Sequence, residues 1–189
     1  MAMRRLATII VSGVLAFGAS AVSLPAVPAI GASAVSPPAV PAASAPAAAP
    51  NSAGPELAAF KKAIRELYDL KERAWAAGDA ETIVTRFYAP DAVSIGEGDP
   101  TTMVGREQFR ATYRQYVKDV TSVRIESVRT VVNGDAGWDW TNFYATVRPE
   151  KAKDYPPPLV RVLFLWSKQN GRWICKGDVF VNGGFKEPL

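Results

Sequence analysis

Histidine is absent from this 189-residue chain, and its absence removes several chemistries at once. There is no Ser-His-Asp triad, no His-ligated zinc and no His-Asp proton pair. Cysteine is nearly absent too. Cys175 stands alone, so no disulfide forms within the chain, and its apolar strand setting marks it as a small buried hydrophobe. The carboxylates lack calcium-loop spacing, and no glycine-rich phosphate loop or dinucleotide fingerprint occurs. An excess of one charge is also missing. Taking Arg4 and Arg5 from the 22 basic residues leaves 20 against 18 acidic ones, scattered among each other. That is too little for a nucleic-acid footprint. Any catalysis is therefore expected to use no cofactor and no metal, with proton carriers drawn from Lys, Tyr, Asp, Glu or Arg.

Long apolar runs are lacking as well. The one at Leu6 to Phe17 is short for a membrane span. With the charged start Met1 to Arg5 and the small residues Ala19-Ser20-Ala21, it reads as a secretory signal over 1–21. Arg4-Arg5 also admits twin-arginine export, and no Cys follows for lipid attachment. The expected location is periplasmic or secreted, with no membrane contact after cleavage. Residues 22–55 are mostly Ala, Pro, Val and Ser without charge, the composition of a semi-extended tether. One domain, 56–189, remains.

The informative stretch is Phe60 to Ala92. Phe60, Ile64, Leu67, Tyr68 and Trp75 recur at three- and four-residue steps, the stripe of a helix with one buried face. Lys71 falls inside that stripe. An ammonium there must pair, snorkel to water or lose its proton. Two environments fit: a stem lying along apolar surface with its nitrogen in water, or a pocket into which Lys71 projects. Gly78-Asp79 ends the helix, and Asp79 caps a second, short one carrying Ile83, Val84, Phe87 and Tyr88. A strand over Asp91 to Ile95 and a turn-rich loop, Gly96 to Pro100, follow. Gly105 to Val120 is a third helix with Phe109, Tyr113, Tyr116 and Val117 on its inner face. Four strands complete the chain, with hairpin turns at Asn133-Gly134-Asp135 and Gln169-Asn170-Gly171.

These pieces resemble the nuclear transport factor 2-like superfamily, in its SnoaL-like and ketosteroid isomerase-like branch. The residues that carry the likeness are Ala76-Ala77-Gly78-Asp79, Phe87-Tyr88-Ala89-Pro90-Asp91-Ala92-Val93 and Gly105-Arg106-Glu107-Gln108-Phe109, within about residues 57 to 182. The resemblance implies an α+β fold: a cone-shaped α+β barrel, its curved mixed or antiparallel sheet wrapped on a long N-terminal helix with two further helices. It also implies a ligand site at the cone's mouth and, often, a homodimer through the sheet. Matched to the ketosteroid isomerases, the general base falls at Gly96 with Glu97 beside it. The oxyanion tyrosine falls at Lys71 and its partner acid at Leu163. All three positions depart from the isomerase pattern.

Two faces of the fourth strand compete to line such a cone. Trp138, Trp140, Asn142 and Tyr144 share one, and wide aromatics with one amide suit a planar ligand. Asp139, Thr141, Phe143, Ala145 and Val147 share the other. The first is the expected liner. Lys71 is then the charge stabiliser, base or imine-forming amine, and Tyr68, Tyr113 and Tyr116 are proton donors or anchors. Trp75, Tyr88, Trp138, Trp140, Asn142 and Tyr144 are expected as walls, with Arg161 holding an oxygen of the ligand or guarding a strand edge. The function that follows is a cofactor-independent lyase or isomerase on a small apolar aromatic compound, by elimination or retro-aldol release. Formaldehyde release from lignin-derived diaryl compounds, known in the superfamily, is one such reaction. The alternative is a non-catalytic periplasmic binder of a hydrophobic ligand.

Overall fold

The computed structural model describes residues 54–98, 101–155, 157–187 and 189; the expected signal segment and nearly all of the tether lie outside them. Helix α1, Pro55–Ala76, opens with proline at its first position, where a missing N–H costs nothing. Its buried face is Leu57, Phe60, Ile64, Tyr68, Lys71, Ala74 and Trp75. Gly78 breaks the helix at φ 69°, and the Asp79 side chain accepts the Thr82 N–H at 2.9 Å to start α2. Helix α2 is a single turn, Ala80–Thr82, which widens into a π turn over Ile83–Phe87. A regular helix was expected here. The wider turn instead buries Ile83, Val84 and Phe87 together and delivers the next residue, Tyr88, inward at the start of a strand.

The strands are β1 (Tyr88–Gly96), β2 (Met103–Val104), β3 (Val120–Asn133), β4 (Ala136–Val147), β5 (Leu159–Gln169) and β6 (Arg172–Asn182). Helix α3, Gly105–Asp119, lies between β2 and β3, and a 3-10 turn, Pro149–Asp154, lies between β4 and β5. Both expected hairpin turns form, with Gly134 at φ 59° and Asn170 and Gly171 at 50° and 76°. The sheet order is β2-β1-β6-β5-β4-β3, antiparallel except for the parallel β1–β6 pair. This is a mixed, curved, unclosed α+β sheet with helices against its inner face. Register shifts in β1, β3 and between Leu165 and Trp166 mark bulges, which bend strands. Among the described residues, no helix is long and apolar enough to cross a membrane.

At the β1 bulge the two backbones nearly touch. A Cβ on Gly177 would lie 2.2 Å from the Val93 carbonyl oxygen, a backbone atom with little room to yield. Gly177→Ala should therefore cost about 2–3 kcal/mol in urea unfolding, the upper range for overpacking; a loss under about 0.5 kcal/mol would show that the bulge relaxes freely.

The sheet turns inward the face opposite to the one expected. Asp139 and Thr141 are fully buried, whereas Trp138, Trp140 and Tyr144 are only partly covered on the outer, convex side. An aspartate can face inward because three hydroxyls solvate it. Tyr68, Ser127 and Thr130 all donate to its carboxylate, at 2.8, 2.6 and 2.7 Å. The outer tryptophans are partly shielded by the chain's end: Phe185 packs edge-on against Trp140 at 5.8 Å. Asn142 holds Phe185 by its backbone, donating to its carbonyl at 3.1 Å and accepting its N–H at 2.8 Å.

Candidate functional site

Between α1, α3 and the inner face of the sheet lies a cavity of about 540 Å³. Its walls are largely apolar: Trp75 from α1, Phe143 and Ala145 from β4, Val160, Val162 and Phe164 from β5, and Phe180 from β6. Trp75 is fixed by its indole N–H, which donates to the Val120 carbonyl at 2.9 Å, and by edge contacts with Tyr113 and Phe143. Among the described residues, four carboxylates also line the space. Glu97, Asp119 and Asp154 come from the β1–β2 loop, the end of α3 and the 3-10 turn, and Asp178 comes from β6. Tyr116 of α3 and Tyr155 line it too, their rings 5.9 Å apart, and Tyr155 donates to Asp119 at 2.8 Å.

Among the described residues Lys71 is the one basic residue in the lining, and only 1% of it is exposed. Its Nζ donates to the Tyr88 hydroxyl at 2.7 Å, and Tyr88 donates to Asp178 Oδ2 at 2.5 Å. With its single proton committed there, Tyr88 can only accept from Tyr113, whose hydroxyl lies at 2.8 Å. Ser94, the register partner of Asp178 in the parallel pair, donates to Oδ1 at 2.5 Å. Lys71 thus meets Asp178 through a tyrosine rather than by direct ion pairing. Five rings surround the ammonium, with Phe87, Tyr88 and Phe164 centred 4.4, 4.7 and 5.0 Å from Nζ.

Burial dominates the electrostatics. It pulls the Lys71 pKa down from 10.5 to about 8, against the opposing charge of Asp178. Tyr88 and Tyr113 move well above 10, first through burial and then through the same carboxylate, so both keep their protons. Asp119 is held below its usual range, chiefly by the Gln115 hydrogen bond and also by that from Tyr155. The arrangement offers a partly neutral amine, two protonated phenols and a carboxylate in one connected chain at the edge of an apolar space. That chain can move a proton or stabilise a developing negative charge.

Of the residues singled out in the sequence, Lys71, Trp75, Tyr113 and Tyr116 line this cavity together. Tyr88 stands behind the wall, bonded to Lys71. Tyr68 does not join them, because its hydroxyl turns to Asp139. Trp138, Trp140, Asn142 and Tyr144 lie on the outer face, where Tyr144 bonds Glu126 and carries Arg124 over its ring. Arg161 is there too, bonded to the Asn182 carbonyl and set against Phe185. Glu97 sits at the cavity's rim and accepts the Asn182 N–H, while Leu163 lies outside. Two residues were missed, Ser94 and Asp178. The available signal was an aspartate in the mostly apolar strand Ile174 to Val181, which also carries Lys176, an anomaly akin to that of Lys71 on its helix. Among the described residues, no three His, Cys, Asp or Glu gather as a metal set. Cys175 is buried and free, its pKa raised by burial.

Tyr68 serves the fold. Tyr68→Phe should cost about 1–2 kcal/mol, the price of leaving Asp139 one donor short, without changing the thermal shift given by a cavity ligand. A lost ligand response in a folded variant would return Tyr68 to the site.

A curved open sheet holding a long helix, with an apolar cavity on its inner side, defines a nuclear transport factor 2-like protein. Residues 64–175 match the SnoaL-like domain family model, and the chain belongs to that family. Solved structures with the same fold include a function-unknown protein from Mycobacterium tuberculosis, Rv3472, at 17% identity and TM-score 0.58, covering 69% of this chain and 76% of that one. A cystatin-like-fold domain of unknown function from Nostoc punctiforme shows 19% identity and TM-score 0.53, with 66% and 78% covered. An NTF-2-like protein of unknown function from Shewanella oneidensis shows 15% identity and TM-score 0.53, with 64% and 98% covered. At these identities the likeness is one of fold. No curated protein matches the sequence.

Proposed function

We propose that this protein is a cofactor-independent lyase or isomerase acting on a small apolar aromatic compound bound in the cavity. The observation that carries the reading is the Lys71–Tyr88–Asp178 chain at the edge of a largely apolar space. Burying a lysine without a direct ion pair costs stability, and proton transfer gives a reason to retain it. Tyr113, its proton given to Tyr88, accepts from or orients the ligand, and Tyr116 and Trp75 form walls. Elimination or retro-aldol release, including formaldehyde from a lignin-derived diaryl compound, fits such a set. The segment 1–21 supports export, and a mature N-terminus near residue 22 in an extracytoplasmic fraction would establish it. The outer sheet face supports homodimerisation: Ile95 and Leu165 are 46% and 42% exposed there. Sedimentation of the full chain tests that.

The functional test incubates the protein with neutral aromatic dimers, steroids and polyketides, following product mass and melting temperature together. Product formation supports the enzyme. A raised melting temperature with no product from any compound favours a non-catalytic binder of hydrophobic ligands. No shift and no product from any class would overturn both.

A further inference from the structure

We propose that Lys71 forms a covalent imine with a neutral aromatic aldehyde or ketone bound in the cavity. The inference rests on the reading of the cavity as the ligand site and names the ligand's reactive group. Lys71 lines the cavity, yet among the described residues only the Tyr88 hydroxyl accepts a hydrogen bond from its Nζ and no carboxylate pairs with it directly. A lysine kept as a permanent charge would be expected to have a salt-bridge partner, as Lys176 has in Asp91. Instead the amine is buried with a neutral hydroxyl as its partner, and loss of water favours its neutral, nucleophilic form, against the pull of the surrounding rings on the charged one. The low pKa agrees with this geometry.

Imine formation also needs protons delivered and withdrawn beside the nitrogen, and the same cluster supplies the groups. The Nζ lone pair attacks the carbonyl carbon, and the C=O π electrons move to oxygen. A proton passes from nitrogen to that oxygen through the Tyr88 and Tyr113 hydroxyls, once both have rotated so that Tyr88 donates to Tyr113 and Tyr113 to the new oxygen. The same oxygen then takes a second proton from bulk water, the C–O bond breaks, water leaves, and the nitrogen lone pair closes the protonated imine, C=NH+. Asp178, accepting from Tyr88 at 2.5 Å, stabilises the positive charge of the protonated imine. The remaining lining fixes the ligand's charge. Among the described residues of the lining, Glu97, Asp119 and Asp154 are acidic and Lys71 alone is basic, so a carboxylate-bearing carbonyl is repelled.

The test incubates the full chain with 4-hydroxybenzaldehyde and cyanoborohydride, which reduces an imine to a stable secondary amine. Intact mass should rise once, by the aldehyde less one oxygen, and peptide mapping should place the adduct on Lys71. Labelling at pH 7 should be on the order of 10-fold or more faster than on the exposed lysines. Lys71→Met should abolish the rapid phase, and mapping of the unmodified chain decides the matter even if that variant does not fold. 4-Carboxybenzaldehyde should label at least about 10-fold more slowly. A raised melting temperature with no adduct at residue 71 would overturn the imine and leave the cavity as a ligand site. Neither shift nor adduct, with any aldehyde or ketone tried, would overturn both. Equal labelling by the carboxylated aldehyde would overturn the choice of a neutral ligand.

Discussion

Lys71→Met should make the protein more stable at pH 7 and, once a substrate is known, remove most of its turnover. The folded state holds this lysine at a pKa of about 8 against 10.5 when unfolded. At roughly 1.4 kcal/mol per pKa unit, charging it inside the fold costs about 3 kcal/mol. Methionine matches the stem and carries no charge. Allowing about 1 kcal/mol for the lost hydrogen bond to Tyr88, the gain is about 2 kcal/mol, or a melting temperature higher by roughly 5–10 °C. The pH dependence has a definite sign. Between pH 8 and 10.5 the unfolded state binds more protons at residue 71 than the folded state, so wild-type stability rises relative to the variant. The advantage of Lys71→Met is therefore full below pH 8 and gone by about 10.5. Tyr68, Tyr88, Tyr113 and Cys175, all raised by burial, act in the opposite direction at high pH. They are present in both proteins, so the difference between two urea series isolates the lysine. Turnover should fall on the order of 100-fold or more. Full turnover in the variant removes Lys71 from the chemistry; a variant less stable than wild type at pH 7 removes the desolvation argument.

The helices and hairpins could be read because each rests on local physics. The α1 stripe, the Gly78 break, the Asp79 cap and the two hairpin turns need only backbone preference and periodicity. Lys71 was legible for the same reason, as one charge out of phase with an apolar face. The inward face of β4 was not. Alternation presents two faces without saying which one α1 covers, and the tryptophans made the wrong one attractive. What settled the choice was non-local. Asp139 is tolerated inside because Tyr68, Ser127 and Thr130 converge on it from α1 and β3. Asp178 was hidden similarly. Its partners Ser94 and Tyr88 lie more than 80 residues away, and the bulge between Tyr88 and Val93 sets its register with them. A π turn places Tyr88 inside a strand, where a helical pattern had put it on a helix.

The second large effect is expected at Asp178, and it depends on Lys71. Asp178→Asn keeps the shape but takes away the negative charge that partly offsets the lysine's burial. The amide must also turn one N–H toward a hydroxyl that formerly donated, so either Ser94 or Tyr88 has to reorient. At pH 7 the substitution should cost about 3 kcal/mol, the low end for stranding one member of a buried charge pair. With residue 71 already methionine, no ammonium is stranded, and the same change should cost only about 1 kcal/mol for the altered hydrogen bond. The double-mutant cycle should therefore return a coupling of about 2 kcal/mol. Because the Lys71 pKa drops below about 8 in Asp178→Asn, the penalty is largest at acidic pH and shrinks as the lysine loses its proton. Urea unfolding of the four proteins at pH 6 and pH 9 measures both trends. Strict additivity at pH 6 would mean that Tyr88 insulates the two charges, and that Lys71 and Asp178 do not act as one unit.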